Sequence, residues 1–188
     1  MAKAPGLIVD EDLVAQEFDL EELLGVDLSN EESLAEEIGQ DIVDFIQERA
    51  ANGQGIGGKE LRSPYSKAYS KSIEFELFGK SEDEVNMRLT GDMLDSIEVL
   101  GFDNNVLTVG ISGGEAPKAH GHMTGKNGTV PKMKREFFGL SKSEIAEITD
   151  RYQDQIEEIA QRRAGEESLL TDSENQQIDR IFNTIGDI

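Results

Sequence analysis

Residues 97–111 read Ile97-Glu98-Val99-Leu100-Gly101-Phe102-Asp103-Asn104-Asn105-Val106-Leu107-Thr108-Val109-Gly110-Ile111. Ile97, Val99 and Phe102 lead into Asp103-Asn104-Asn105, and Val106, Leu107, Val109 and Ile111 lead away from it. Asparagine tolerates the left-handed backbone that tight turns need, so the stretch predicts a β-hairpin. A hairpin buries its apolar face only against another layer, so the flanking sequence has to supply one.

Upstream, Thr90-Gly91-Asp92 opens a short helix with Met93, Leu94 and Ile97 on one side, and Val85, Met87 and Leu89 alternate as in a strand. Residues 65–79 fit two patterns. Tyr65, Tyr69 and Ile73 share a helical face, whereas Ile73, Phe75 and Leu77 alternate with Glu74 and Glu76 as in a strand. Farther back, Leu34, Ile38, Ile42, Phe45 and Ile46 recur at helical spacing and predict a long amphipathic helix that stops near Asn52-Gly53. Ser29 and Glu32 have the spacing of a capping box at its start. Residues 1–28 mix acids with Leu13, Leu20, Leu23 and Leu24, with Gly25 as a stop, and read as an acidic arm outside the core that orders on a partner.

Downstream, residues 112–131 are glycine-rich and read as irregular. Ser141 and Glu144 form a second capping-box pattern, followed by Ile145, Ile148, Tyr152, Ile156 and Ile159 on a long helix to about Arg163. Thr171 and Glu174 form a third, followed by Ile178, Ile181, Phe182 and Ile185. The expected fold class is α+β: a small antiparallel sheet packed with a long N-terminal helix, plus a C-terminal helical extension. The expected organisation is an arm over 1–28, a domain over 29–163 and the extension over 164–188.

At 188 residues the chain has room for one domain with a sizeable core. It has no cysteine, which removes disulfides, thiolate metal sites and cysteine nucleophiles. No apolar run approaches a membrane span. The Met1–Gly6 start lacks the pattern of a signal peptide, so a soluble protein made in the cytoplasm is expected. The net charge of −21 is unevenly placed. Residues 1–52 carry 2 basic and 15 acidic side chains, residues 53–135 carry 11 of each, and residues 136–188 carry 5 basic and 13 acidic. A broad phosphate-binding face needs clustered Lys and Arg, which this distribution does not supply.

The glycine-rich stretch 53–58 lacks the spacing of a phosphate-binding loop and follows a helix pattern rather than a strand, so it reads as a flexible loop. His120 and His122 could ligate a metal only with further ligands, and the sequence offers none beyond the nearby Glu115. No nucleophile elbow is present. The carboxylates fall on helix faces and in the N-terminal stretch, with no reason to select a catalytic pair. We therefore expect no enzymatic activity, no metal and no cofactor. Lys118, Lys126, Lys132 and Lys134, with Arg135, form a local basic run suited to an acidic neighbour or to DNA. The abundance of acid elsewhere in the chain favours the neighbour.

Three pieces between Thr90 and Ser141 resemble the phage virion morphogenesis family, which includes tail-completion proteins. The first is Thr90-Gly91 with Leu94 and Ser96-Ile97. The second is Ala119, His122 and Gly125. The third is Pro131 followed by Arg135-Glu136-Phe137-Phe138-Gly139-Leu140-Ser141. The resemblance covers about a quarter of the chain. It implies a structural, ring-forming neck or tail-completion subunit at the head–tail junction of a bacteriophage, located in the virion. Its alternatives are a terminator capping the tail tube or an assembly chaperone outside the particle. The implied partners are further copies of the chain and adjacent neck, adaptor or tail-tube proteins, with DNA contact only in a ring lumen and no membrane.

Overall fold

The computed structural model describes residues 6–61, 65, 67, 69–80, 87, 91–127, 130–131 and 133–165. The chain divides into two units, residues 1–149 and residues 150–188.

The predicted hairpin forms one half of the four-stranded sheet of the first unit. Strands β3 (Glu98–Asp103) and β4 (Val106–Ser112) pair antiparallel, with a register shift between Val99 and Gly101. Asn104 and Asn105 both have positive φ, 48° and 64°. Two consecutive left-handed residues match the right-handed twist of the strands they join.

The other side of β4 is occupied by a strand from the N-terminal region. β1 (Leu7–Val9) and β2 (Leu13–Asp19) form a second hairpin, and the four-stranded sheet has the order β1-β2-β4-β3. Every pairing in it is antiparallel. This corrects the expected acidic arm: Val14, Ala15, Gln16 and Phe18 are buried in an interior strand. The acids gave the segment its arm-like look, but Asp10, Glu11 and Asp12 lie at the β1–β2 turn, and Glu17 and Asp19 are exposed. Helix α1 (Leu20–Leu24) follows and ends as expected at Gly25, which has φ 71°.

Helix α2 (Glu32–Ala51) is the predicted long helix, with Leu34, Ile38, Ile42 and Ile46 buried. It crosses the sheet so closely that a Cβ on Gly39 would lie 2.7 Å from Val99 Cγ2 and 3.2 Å from Leu107 Cδ1. The capping box expected at its start does not form. Glu31 is the N-cap without a side-chain bond, and the Ser29 N–H instead donates to Asp27 Oδ1 at 2.8 Å.

The glycine loop after α2 is organised by backbone bonds. Gly55 N–H donates to Lys59 O, Leu61 N–H to Gly53 O, and Ile56 N–H to Glu136 O. Residues 73–77 resolve the open choice as a helix, α3 (Ile73–Leu77), capped by the Ser72 hydroxyl. The expected strand over 85–89 lies outside the described residues except for Met87, which is buried. Short helix α4 (Asp92–Asp95) buries Met93 and Leu94.

Residues 116–124 are helical, which corrects the irregular reading of 112–131. Helix α5 (Ala116–Thr124) carries Pro117 in its first turn and stops at Gly125, in the left-handed conformation at φ 73°. Proline at a helix start and glycine at its end are favourable, so residues that resemble loop punctuation delimit a helix here. Two short strands follow, β5 (Lys126–Asn127) and β6 (Val130–Pro131), paired antiparallel. Helix α6 (Lys142–Asp150) begins at the predicted Ser141–Glu144 capping box. The predicted single helix to Arg163 is broken at residues 151–152, and a separate helix covers 153–165 in the second unit. The helix expected after Thr171 lies outside the described residues.

Candidate functional site

The segment 135–141 has no regular secondary structure and yet is almost wholly buried, with Phe137, Phe138 and Leu140 each at 0% exposure. Its backbone polar groups therefore need partners other than a helix or a sheet ladder. Side chains from distant elements supply them. From β2, Gln16 accepts the Leu140 N–H at 2.6 Å and donates to the Leu140 carbonyl at 3.3 Å. From α2, Arg49 donates to the carbonyls of Phe137 and Gly139, both at 2.8 Å. Its other terminal nitrogen lies 2.6 Å from Glu144 Oε1.

Glu144 holds both the helix start and the glycine loop. Its Oε2 accepts from Ser141 N at 2.8 Å, Ser141 Oγ at 2.8 Å and Gly57 N at 2.9 Å. Burial works against its charge, but the two Ser141 bonds and the Arg49 guanidinium outweigh it, leaving the carboxyl below its ordinary pKa. For Arg49, burial dominates over the Glu144 charge and its hydrogen bond and pulls the guanidinium below its usual value. Both oxygens of Glu144 are committed to these donors, so the carboxylate has a structural part in this arrangement. An open groove of about 400 Å³ passes beside the pair, lined by Phe45, Glu48, Gly57, Ser143 and Glu147 among others.

The resemblance-bearing residues fall into two places. Ala119 and His122 lie on α5 and Gly125 directly follows it, and α5 meets the 135–139 segment directly. The Arg135 N–H donates to the His122 carbonyl at 2.7 Å, and the rings of His122 and Phe137 meet edge to face at 6.4 Å. Ala119 is fully buried, and Gly125 caps the helix. Arg135 is buried, with its guanidinium 5.3 Å from the centre of the Tyr65 ring, and burial pulls its pKa below the usual value. Gly139 has φ 103° and passes so close that a Cβ would lie 3.1 Å from Leu7 Cδ1. Pro131 is on β6, its backbone opposite Lys126. Gly91 and Leu94 are elsewhere, at α4, where Leu94 O accepts from Gln47 of α2 at 3.0 Å. Thr90 lies outside the described residues.

His120 and His122, read as neighbours in a loop, are two residues apart on α5 and so point to different sides of the helix. Among the described residues no group of three His, Asp or Glu side chains is placed to hold a metal. No described helix is long and apolar enough to cross a membrane. In the basic run, Lys118 pairs with Glu115 at 3.0 Å and Lys134 with Glu136 at 2.9 Å, all on exposed or half-exposed side chains. Lys126 is exposed, and Lys132 lies outside the described residues.

Sequence reasoning missed Gln16 and Arg49. Arg49 carried a signal: it continues the apolar stripe of α2 three residues beyond Ile46. A charge on the apolar face of a helix calls for a buried partner. Gln16 shares its strand face with Val14 and Phe18, but the acids around it hid the alternation. Compared with models of protein families, with curated proteins and with solved structures, the chain matches none.

Proposed function

We propose that this chain is a structural subunit of a bacteriophage particle, a neck or tail-completion protein that acts as one copy in a ring at the head–tail junction and performs no catalysis. The observation that carries this reading is the junction of α5 with residues 135–141. Two of the three sequence pieces that resemble the phage family meet there, through the His122 carbonyl, the Arg135 N–H and the His122–Phe137 ring contact. Their shared order and spacing thus have a physical reason, since each supplies a partner that the other needs when buried.

The strong segregation of charge suits a ring subunit, because a head-to-tail ring joins one patch of a copy to a different patch of the next. Its partners in this reading are other copies and the adjacent adaptor or tail-tube protein. It is made in the host cytoplasm, resides in the virion, and reaches DNA only through a ring lumen.

The test is the solution mass by light scattering, alone and with the tail-tube or adaptor protein added, together with its detection in purified particles. A defined ring on the partner and presence in particles support the proposal, and the partner that induces the ring separates a neck subunit from a tail terminator. A ring absent from purified particles favours an assembly chaperone. A chain that stays monomeric with every virion component overturns the reading.

A further inference from the structure

Five large apolar side chains stand exposed among the described residues: Leu23, Ile73, Leu77, Phe78 and Met133. Three of them belong to α3 and its C-cap, with Ile73 81% exposed, Leu77 76% and Phe78 47%. Single exposed apolar residues are ordinary, but a helical turn that presents three of them is not.

Met133 is also exposed, at 44%. Two residues after it, Arg135 lies over the Tyr65 ring, and that ring meets Phe75 of α3 edge to face at 5.3 Å. Tyr69 packs on both Tyr65 and Phe75. The aromatic cluster thus links Phe75 of α3 to Arg135, while Ile73, Leu77 and Phe78 stay exposed.

Charges of both signs lie in the sequence around α3, with Lys71 and Lys80 on either side of it. α3 carries Glu74 and Glu76, both exposed. Residues 116–135 carry five basic side chains and no acid, the longest stretch without an acidic residue in a chain that has 39 of them. Two copies of a protein with net charge −21 repel each other unless their contact sets acid against base. The 116–135 segment, through Lys126 and Lys134, is one place where that can happen.

We propose that α3 is a self-association surface: Ile73, Leu77 and Phe78 of one copy dock on Met133 of a second copy, with Glu74 and Glu76 facing its Lys126 and Lys134. Lys134 exchanges its exposed local partner Glu136 for the incoming carboxylates, an exchange between pairs that are each weak in water. The contact is apolar at its centre and charged at its rim, as protein interfaces are. The contact is inferred from exposure and charge, and it depends neither on the ring reading nor on a phage origin.

The test is sedimentation of the purified full chain alone, from about 1 µM to 1 mM, a range that spans weak contacts. Concentration-dependent self-association is expected, weakened about tenfold or more by Leu77→Ser or by Lys134→Glu, each a surface change that leaves the core intact. Mixing Lys134→Glu with a Glu74→Lys/Glu76→Lys variant should restore association that neither shows alone, which a general loss of folding could not produce. A monomer at all concentrations overturns the proposal. So does association that both single variants leave unchanged, and that outcome leaves the ring reading standing with its contact elsewhere.

Discussion

The guanidinium of Arg49 lies 2.6 Å from the carboxylate of Glu144, 95 residues later in the chain, and both side chains are almost entirely removed from water. This pair joins the end of the long helix to the start of α6, and through the remaining Arg49 and Glu144 bonds it also holds residues 137–141 and the glycine loop at Gly57.

Removing Arg49 alone strands the buried Glu144 charge, a cost that removing both members avoids. Arg49→Met leaves a buried carboxylate without its counter-charge and two buried carbonyls without a donor, and should destabilise the protein by about 3–5 kcal/mol. Adding Glu144→Leu removes the stranded charge, and the double variant should recover part of that loss. Urea unfolding of both single variants and the double one measures the coupling. An Arg49→Met protein within about 0.5 kcal/mol of the parent would falsify the structural role assigned to the pair.

The lowered pKa of Glu144 sets the direction of a pH effect. Its folded value lies below the unfolded one, which is about 4.3, so the unfolded chain takes up the proton first as pH falls. The stabilisation is complete above the unfolded value and is lost as pH drops through the folded one. Unfolding followed from pH 6 to pH 2 should show Glu144→Gln losing less stability over the acid range than the parent does. Parallel curves for the two proteins would remove Glu144 as a source of acid sensitivity.

Gly139 has φ 103°, and the Cβ of an alanine there would sit 3.1 Å from Leu7 Cδ1 and 3.3 Å from Gln16 Oε1. Backbone strain and crowding act together, so Gly139→Ala should cost about 1–3 kcal/mol. Gly114→Ala is the control, because a Cβ there meets nothing within 4 Å and φ is not positive. Thermal melts of the two should separate clearly, and equal melting temperatures would contradict the close approach.

Asn105 serves the hairpin twice. Its backbone turns at φ 64°, and its side chain accepts from Leu28 N at 2.7 Å and donates to Asp27 Oδ1 at 2.7 Å. Asn105→Gly keeps the turn and loses the side-chain bonds, leaving the Leu28 N–H without that acceptor, and should cost about 1–3 kcal/mol. Asn105→Ala also strains the left-handed backbone and should cost more. Chemical denaturation gives the order, and an alanine variant as stable as the glycine variant would leave the turn geometry without influence.

Gln16 to Leu140 is the remaining long link, across a separation of 124 positions. Gln16→Leu keeps the volume but strands the buried N–H and carbonyl of Leu140, and a loss of about 2 kcal/mol is expected. Hydrogen exchange at the Leu140 amide reads this directly. Faster exchange there, ahead of the rest of the core, is the expected result, and an unchanged rate contradicts the bond.

By itself the sequence determined part of what is local, though it suggested a Ser29–Glu32 cap that does not form and missed helix α5. The Asn104-Asn105 turn, the stripe of α2, the Ser141–Glu144 cap and the stop at Gly25 depend on interactions spanning a few residues, and spacing records those. Tertiary structure decided what depends on partners far along the chain. Leu13–Asp19 looked like an acidic arm until β4 paired with it, because a short interior strand draws its stability from neighbours that its own residues do not name. The 135–141 segment was legible as a motif but not as a place, since Gln16, Arg49 and His122 reach it from 124, 88 and 13 residues away. Burying an irregular backbone requires donors and acceptors in three dimensions, and only the folded chain supplies them.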